Sequence, residues 1–212
     1  IIDERILSMN IQTLFFIMEI IGTVSFSISG AITAIQKKLD IFGIIVLSTV
    51  CAVGGGLTRD IILGVTPPVM FRKPVYVIIA VLSAFMLLII REYTEKERIE
   101  NKKDKLIFLL NISDSVGLGM FVVIGLDSAL SFNYINNPFL CVFVGTLTGV
   151  GGSILRDIFV GEIPVILRKR IYAIAAILGS LIYYYMIYFK IYKYIAAVIA
   201  IVVVFTVRTL AI

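Results

Sequence analysis

Seven long apolar runs, separated by short polar stretches, dominate the chain. Each run is about 20 residues long, which is the length that an α-helix needs to cross a bilayer. The runs cover residues 11–34, 41–63, 74–90, 106–126, 139–160, 171–187 and 191–211. The pattern therefore predicts an all-α membrane protein in which residues 1–212 form a single transmembrane domain of seven transmembrane helices.

The composition agrees with a membrane protein and bears on its orientation. Hydrophobic residues make up 60% of the chain and charged residues 16%, and the net charge is +5. The positive charge suggests nucleic acid at first, but Lys and Arg cluster in short loops, as expected for loops that face the cytoplasm. With the N-terminus outside, twelve of the nineteen Lys and Arg residues face inward and five face outward. We therefore predict a multi-pass protein of the cell membrane, surrounded by lipids, with a cytoplasmic C-terminus and no nucleic-acid partner.

The chain repeats itself in sequence. The segment GGGLTRD at 54–60 returns as GGSILRD at 151–157, and each copy is followed by proline. Repeat 1 covers about 11–90 and repeat 2 about 106–187, with a polar stretch at 91–105 between them; the seventh helix, about 191–211, has no counterpart. Because each repeat holds three spans, the second copy is expected to be inverted in the membrane relative to the first.

The glycine clusters lie inside the second and fifth predicted spans. They consist of Gly54, Gly55 and Gly56 in repeat 1, and of Gly151 and Gly152, followed by Ser153, in repeat 2. Each glycine costs a helix about 1 kcal/mol relative to alanine, so a cluster favours a bend or an unwound turn beside a polar path. The alternative is close packing, because small residues let helix backbones approach each other.

An Arg-Asp pair follows each glycine cluster: Arg59-Asp60 in repeat 1 and Arg156-Asp157 in repeat 2. Ionisable groups inside a membrane span are costly and are candidates for a functional role. They are equally suited to a structural ion pair that locks the helices together. Since adjacent helical residues point about 100° apart, we expect each arginine to pair with a carboxylate on another span.

Two further carboxylates occupy matched positions. Glu19 and Asp114 lie in the first spans of the two repeats, each three residues before a glycine. They could attract cations towards a pore, or each could neutralise one of the repeated arginines; the sequence slightly favours neutralisation.

Several functions are excluded by what the sequence lacks. It contains no histidine, so catalytic Ser-His pairs and histidine metal sites are impossible. Its two cysteines, Cys51 and Cys141, lie in apolar runs without metal-ligand spacing. We therefore predict that the protein is not an enzyme and that it uses no metal and no cofactor.

The duplicated GG[GS]xxRDxxxG motif, followed by proline and set in three plus three plus one spans, resembles the prokaryotic branch of the TRIC (trimeric intracellular cation) channel family, whose repeat unit is also described as a glycine-transporter domain. The resemblance implies a homotrimer that conducts potassium and sodium ions through one pore in each protomer. It also implies that the first, second, fourth and fifth spans frame this pore, and that the second and fifth are kinked at their glycines. With serine at position 153, the second kink is expected to be milder. The candidate pore and gating residues are Glu19, Gly54, Gly55, Gly56, Arg59, Asp60, Asp114, Gly151, Gly152, Ser153, Arg156 and Asp157.

Two other functions remain open on the sequence. Inverted repeats with broken helices also occur in transporters, so a carrier of a small zwitterion such as glycine is the main alternative. Such a carrier would show saturable uptake, whereas a channel would pass an ohmic ion current. A structural or regulatory membrane protein would transport no solute at all.

Overall fold

A computed structural model describes residues 2–95 and 102–210. Apart from one 3-10 turn at Tyr134–Asn136, the regular structure in these residues is α-helical. The helices are α1 (Ile2–Gln36), α2 (Ile41–Ile62), α3 (Val69–Arg72), α4 (Val75–Glu95), α5 (Lys102–Ser131), α6 (Pro138–Phe159), α7 (Val165–Arg168), α8 (Arg170–Tyr188) and α9 (Lys193–Thr209). The seven longer helices coincide with the seven predicted apolar runs. Residues 96–101 of the predicted polar stretch, and residue 211 of the predicted seventh helix, lie outside the described residues.

Five of the described helices are long and apolar enough to cross a membrane. They are Ile11–Gln36, Ile41–Ile62, Asp104–Ser131, Pro138–Phe159 and Arg170–Tyr188. The apolar part of α4, Val75–Ile90, is shorter. Helix α9 has 17 residues, or about 26 Å, slightly less than the roughly 30 Å hydrocarbon core. The protein is therefore an all-helical, multi-pass membrane protein, while the count of seven spans stays a prediction.

Helices α2 and α6 begin and end in the same way. Asp40 caps α2 and Asn137 caps α6, each side chain accepting a hydrogen bond from the amide three residues further on. Both helices stop before a glycine in the left-handed region, Gly64 with φ 72° and Gly161 with φ 70°. Glycine takes this conformation without the steric cost that a Cβ would add, and it commonly ends helices. The two copies of the motif thus define helices of equal length.

Four helices form a ring at the centre of the fold. Helix α1 packs against α2, α2 against α6, α6 against α5, and α5 against α1. Helix α4 packs outside α1 and α2, and α8 packs outside α5 and α6. Helix α9 packs against α5 and α8, so it covers the side of the ring that belongs to repeat 2.

Two stacked phenyl rings lie between α1 and α5. The ring centroids of Phe26 and Phe121 are 5.4 Å apart, and both side chains are buried. Phe121 lies over Gly22, and Phe26 lies over Gly117; a Cβ on these glycines would come within 3.0 Å and 2.6 Å of the rings. The two glycines that follow Glu19 and Asp114 by three residues therefore make room for the aromatic pair.

Candidate functional site

Arg59 and Asp60 form a buried ion pair near the end of α2. The guanidinium Nε and Nη2 of Arg59 lie 2.9 and 2.8 Å from Asp60 Oδ1. The other carboxylate oxygen of Asp60 accepts a hydrogen bond of 2.7 Å from the amide of Val69, the first residue of α3. The first amides of a helix have no partner within the helix. Asp60 therefore neutralises the arginine and also fixes the start of the following helix.

The second copy of the motif builds the same arrangement at the end of α6. Arg156 Nε and Nη2 lie 2.9 and 2.8 Å from Asp157 Oδ1. The amide of Val165, which begins α7, donates to Asp157 Oδ2 at 2.8 Å. Arg156 has two further partners, because its Nη1 donates to Asp114 Oδ1 on α5 at 2.9 Å and to the hydroxyl of Ser29 on α1 at 2.5 Å. The repeated Arg-Asp sequence thus produces a repeated structural unit.

These contacts correct one prediction. We expected each arginine to pair with a carboxylate on another span, and Arg156 does so with Asp114. However, both arginines also pair with the aspartate next to them in sequence, and no ion pair between described residues joins Arg59 to Glu19. The Cβ directions of neighbours diverge, but the long, flexible arginine side chain folds back over its own helix.

A cavity opens beside the first ion pair. Its volume is about 40 Å³, which is enough for a few water molecules. Glu19 lines it, and the carboxylate of Glu19 accepts a hydrogen bond from the hydroxyl of Tyr76. The lining residues are Glu19, Thr23, Ala52, Val53, Gly56, Leu57, Arg59, Asp60, Val69, Met70, Tyr76 and Phe121. Glu19 is therefore the predicted carboxylate that stays free of arginine, and it faces space large enough for ions and water.

The matched carboxylate in repeat 2 has a different environment. Asp114 is 1% exposed; its Oδ1 accepts from Arg156 and, at 3.3 Å, from the hydroxyl of Ser29. Its Oδ2 lies 3.8 Å from Nη2 of Arg208, a residue of α9. The guanidinium of Arg208 also lies over the ring of Tyr172, 4.8 Å from the centroid. Asp114 therefore neutralises arginine, as the slightly favoured interpretation predicted.

The glycine clusters bring α2 and α6 into close contact. A Cβ on Gly55 would lie closer than 3.0 Å to the carbonyl oxygen of Thr148, and a Cβ on Gly152 equally close to that of Cys51. Both helices continue through their clusters as α-helix. The glycines therefore do not unwind the helices, and they serve the close packing that was the alternative; a bend at these positions stays a prediction.

The other positions of the two clusters have different neighbours from Gly55 and Gly152. A Cβ on Gly54 would meet the side chain of Leu155 at 2.6 Å, and one on Gly151 would lie 3.1 Å from the α-carbon of Gly55. Gly56 lines the cavity. Ser153, its counterpart, is buried and accepts a hydrogen bond of 2.8 Å from the hydroxyl of Tyr172. Of the three positions in each cluster, only the third therefore differs in chemistry between the repeats.

A further charged group lies in the loops at the ends of α1 and α6. Glu162 forms ion pairs with Lys37 and with Arg168, the latter at 2.6 Å. Hydrogen bonds from Lys37 and Arg168 hold the pKa of the Glu162 carboxyl below its ordinary value. These side chains are exposed, so the cluster joins loops of the two repeats outside the buried site.

Sequence reasoning missed three residues of the site. Tyr76 and Tyr172 were not singled out, although they occupy matched positions 96 residues apart. That spacing is the signal that would have revealed them. Arg208 was counted only among the twelve inward-facing Lys and Arg residues, and its burial at 3% exposure depends on how α9 packs. Within the described residues, no group of three metal-ligating side chains is close enough to hold a metal ion.

A ring of apolar helices with buried ion pairs and a charged cavity beside it is typical of a membrane protein of the channel or carrier class. Comparison with known proteins identifies the family. The family model described as "Glycine transporter" matches residues 16–92 and again residues 111–188, and the chain belongs to this family, which is that of the prokaryotic TRIC channels.

Individual relatives agree with this assignment. The chain is 36% identical to the UPF0126 inner membrane protein YadS of Escherichia coli over 170 residues, which cover 80% of this chain and 77% of YadS. The crystal structure of a prokaryotic TRIC channel matches with a TM-score of 0.84 and 31% identity, covering 94% of this chain and 96% of the channel. The TRIC orthologue of Rhodobacter sphaeroides matches with a TM-score of 0.83 and 31% identity, covering 93% and 96%. These proteins are membrane proteins and channels, in agreement with the prediction that the chain is not an enzyme.

Proposed function

We propose that this protein is a cation channel. The observation that carries the proposal is the cavity in which Glu19 lies without an arginine partner, next to the four-helix ring. Two carboxylates, Glu19 and Asp60, and one guanidinium, that of Arg59, line the cavity. With these groups ionised, the cavity carries one excess negative charge. A negative cavity surrounded by a low-dielectric bundle attracts cations and repels anions.

The conduction path, in this proposal, runs within one protomer and is framed by α1, α2, α5 and α6. These are the first, second, fourth and fifth predicted spans, and they are the helices of the ring. In this proposal the path is closed where Phe26 stacks on Phe121, because Phe121 also lines the cavity. Hinge motion at Gly54–Gly56 and Gly151–Gly152 would open it.

The proposal extends to selectivity and assembly. The sequence contains no TVGYG motif, whose stacked backbone carbonyls select potassium in potassium channels. We therefore expect discrimination between potassium and sodium to be weak. We further propose seven spans arranged as two inverted repeats plus α9, with the N-terminus outside and the C-terminus in the cytoplasm. We propose a homotrimer with one pore per protomer; the trimeric state is supported by the TRIC orthologue of Rhodobacter sphaeroides, which is a trimeric intracellular cation channel.

Planar-bilayer recording of the purified protein tests the proposal. Under a gradient of potassium chloride, we expect discrete openings that reverse near the potassium equilibrium potential. Glu19→Gln removes the excess charge and should lower the potassium conductance and move the reversal potential towards zero. Asp40→Asn, which keeps the cap of α2 at an exposed site, is the matched control and should conduct as wild type. A current that reverses near the chloride potential would contradict the proposal.

A carrier of small zwitterions is the second candidate function. It is favoured by the presence of a carboxylate, Glu19, and a guanidinium, Arg59, in one cavity. The two groups could bind the ammonium and the carboxylate of a small amino acid. Saturable uptake of glycine into liposomes, together with a silent bilayer, would support the carrier and exclude the channel.

A further inference from the structure

The two copies of the site differ by one buried charge. Each copy holds two carboxylates and the arginine of its motif. The matched residues are Glu19, Arg59 and Asp60 in repeat 1, and Asp114, Arg156 and Asp157 in repeat 2. Repeat 2 has an additional cation, the guanidinium of Arg208, which α9 delivers to Asp114. The formal charge of the ionised groups is therefore −1 in repeat 1 and zero in repeat 2.

Arg208 is held in its cluster mainly by charge. It is 3% exposed, and its nearest carboxylate oxygen, Asp114 Oδ2, lies at 3.8 Å, beyond hydrogen-bond distance. Neither Asp114 Oδ2 nor Arg208 Nε has a hydrogen-bond partner among the described residues. The ring of Tyr172 covers the guanidinium at 4.8 Å, a cation–π contact. A site that attracts cations through charge and an aromatic face would hold a mobile cation with the same two kinds of contact.

The hydrogen bonds of the matched tyrosines explain why Asp114 Oδ2 has no hydrogen-bond partner in the described part of the chain. In repeat 1, the hydroxyl of Tyr76 donates to Glu19. In repeat 2, the hydroxyl of Tyr172 donates instead to Ser153, at 2.8 Å. The position that matches Ser153 is Gly56, which has no hydroxyl to offer Tyr76. The serine therefore binds the tyrosine, and Asp114 Oδ2 is left facing Arg208.

We infer that Arg208 is a tethered cation that fills, in repeat 2, the monovalent-cation site that repeat 1 leaves open beside Glu19. The seventh helix provides it, and α9 packs mainly against α5 and α8 of repeat 2. The inference rests on the proposed function in one respect, namely that the mobile ligand is a monovalent cation. It predicts that removal of Arg208 exposes a second cation site at Asp114.

Thermal unfolding of the full chain in detergent tests this inference without any ion flow. The Tm is compared in potassium chloride and in N-methyl-D-glucamine chloride at equal ionic strength, because the larger cation does not fit a buried site. Wild type should be stabilised by potassium through one site. Arg208→Ala should be less stable overall but should gain more from potassium, with an additional rise of about 3 °C at potassium well above the Kd. Low concentrations of guanidinium chloride should restore Arg208→Ala more effectively than potassium does.

Two further variants locate the effect. The double variant Arg208→Ala/Asp114→Asn should lose the additional potassium response, because it lacks the carboxylate that binds the ion. Arg168→Ala removes an exposed arginine and should respond to potassium as wild type does. The inference is wrong if the Tm of Arg208→Ala rises with potassium no more than that of wild type. It is also wrong if the double variant Arg208→Ala/Asp114→Asn keeps the additional rise.

The inference can also be tested without Arg208→Ala, in case that variant does not fold. In a chain that retains Arg208, Glu19→Gln should abolish the potassium stabilisation seen in wild type; an unchanged stabilisation would overturn the open site beside Glu19. Because both arms measure binding, a silent bilayer with intact potassium stabilisation would count against the channel alone. Conduction without any potassium-dependent stabilisation would count against the tethered-cation inference alone.

Discussion

Gly55 of α2 and Gly152 of α6 each face the main-chain carbonyl that lies four residues before the other: Gly55 faces that of Thr148 and Gly152 that of Cys51. The crossing of the two helices is therefore reciprocal. Each glycine also lies one helical turn before an arginine of the motif, Arg59 or Arg156. The contact at the crossing thus fixes where the two buried ion pairs stand relative to each other.

Alanine at either crossing glycine should destabilise the protein. In Gly55→Ala or Gly152→Ala, the new Cβ would strike a backbone carbonyl that cannot rotate away, and overpacking of this kind costs about 1–3 kcal/mol. Gly56→Ala is the control, since its nearest neighbour would be a side-chain nitrogen at 3.9 Å. Thermal unfolding in detergent measures the difference; a Tm for Gly55→Ala equal to that of Gly56→Ala would contradict the crossing.

The hinge proposal makes a second prediction for these positions. The double variant Gly55→Ala/Gly152→Ala stiffens both helices at the same point, so its single-channel conductance or open probability should differ from wild type. Recording in bilayers under identical salt provides the comparison. Single-channel behaviour unchanged from wild type would rule out hinges at the crossing.

Shortening the aromatic pair should open the proposed path. The ring centroids of Phe26 and Phe121 are 5.4 Å apart, and Phe121→Ala removes one ring of this pair, which also lines the cavity. We expect a larger conductance or a higher open probability, at some cost in stability, since truncation of a buried phenylalanine costs about 3–5 kcal/mol. Phe143→Ala on α6, where the ring is 46% exposed, is the control and should conduct as wild type. A lower conductance in Phe121→Ala would count against closure by this ring.

Neutralising one partner of the first ion pair should be more damaging than neutralising both. Asp60→Asn leaves the charge of Arg59 buried without compensation, which we expect to cost about 3 kcal/mol. In Arg59→Met/Asp60→Asn the uncompensated charge is gone, so the double variant should recover part of this loss. Equilibrium unfolding of wild type, Asp60→Asn, Arg59→Met and the double variant gives the coupling energy. A double variant that loses at least as much stability as Asp60→Asn would contradict the expected recovery.

The loop cluster at Glu162 should make stability depend on pH in the acidic range. Lys37 and Arg168 lower the pKa of Glu162 in the folded protein. This stabilisation is complete above the unfolded-state pKa, near 4.5, and is lost as the pH falls through the lower folded-state value. Glu162→Gln should therefore flatten the acidic limb of a plot of Tm against pH. Because the side chains are exposed, the effect should be small and should decrease with salt. An acidic limb identical in Glu162→Gln and wild type would contradict it.

Much of the fold follows from local features of the sequence. The length of each apolar run sets the position of a membrane helix, and the seven longer helices lie on the predicted runs. The duplicated motif ends α2 and α6 in the same way, because its glycine, proline and Arg-Asp pair affect only the backbone a few residues away. It also carried the family resemblance, which the comparisons confirm. The single-turn helices α3 and α7 were missed, since four residues are too few for a helical period to show.

The pairing of the charges was decided by the tertiary structure. Spacing along the chain could not reveal that Arg156 meets Asp114 while Glu19 meets Tyr76, because this depends on how each helix is rotated against its neighbours. Arg208 belongs to the site only because α9 packs beside α5. For the same reason the cavity exists beside the first ion pair, whereas the guanidinium of Arg208 occupies the matched position beside the second. The sequence by itself determined that the charged groups of the repeated motif lie in apolar helices, through hydrophobicity and local motif. Packing determined which of them are neutralised, and it brought Arg208 to the site.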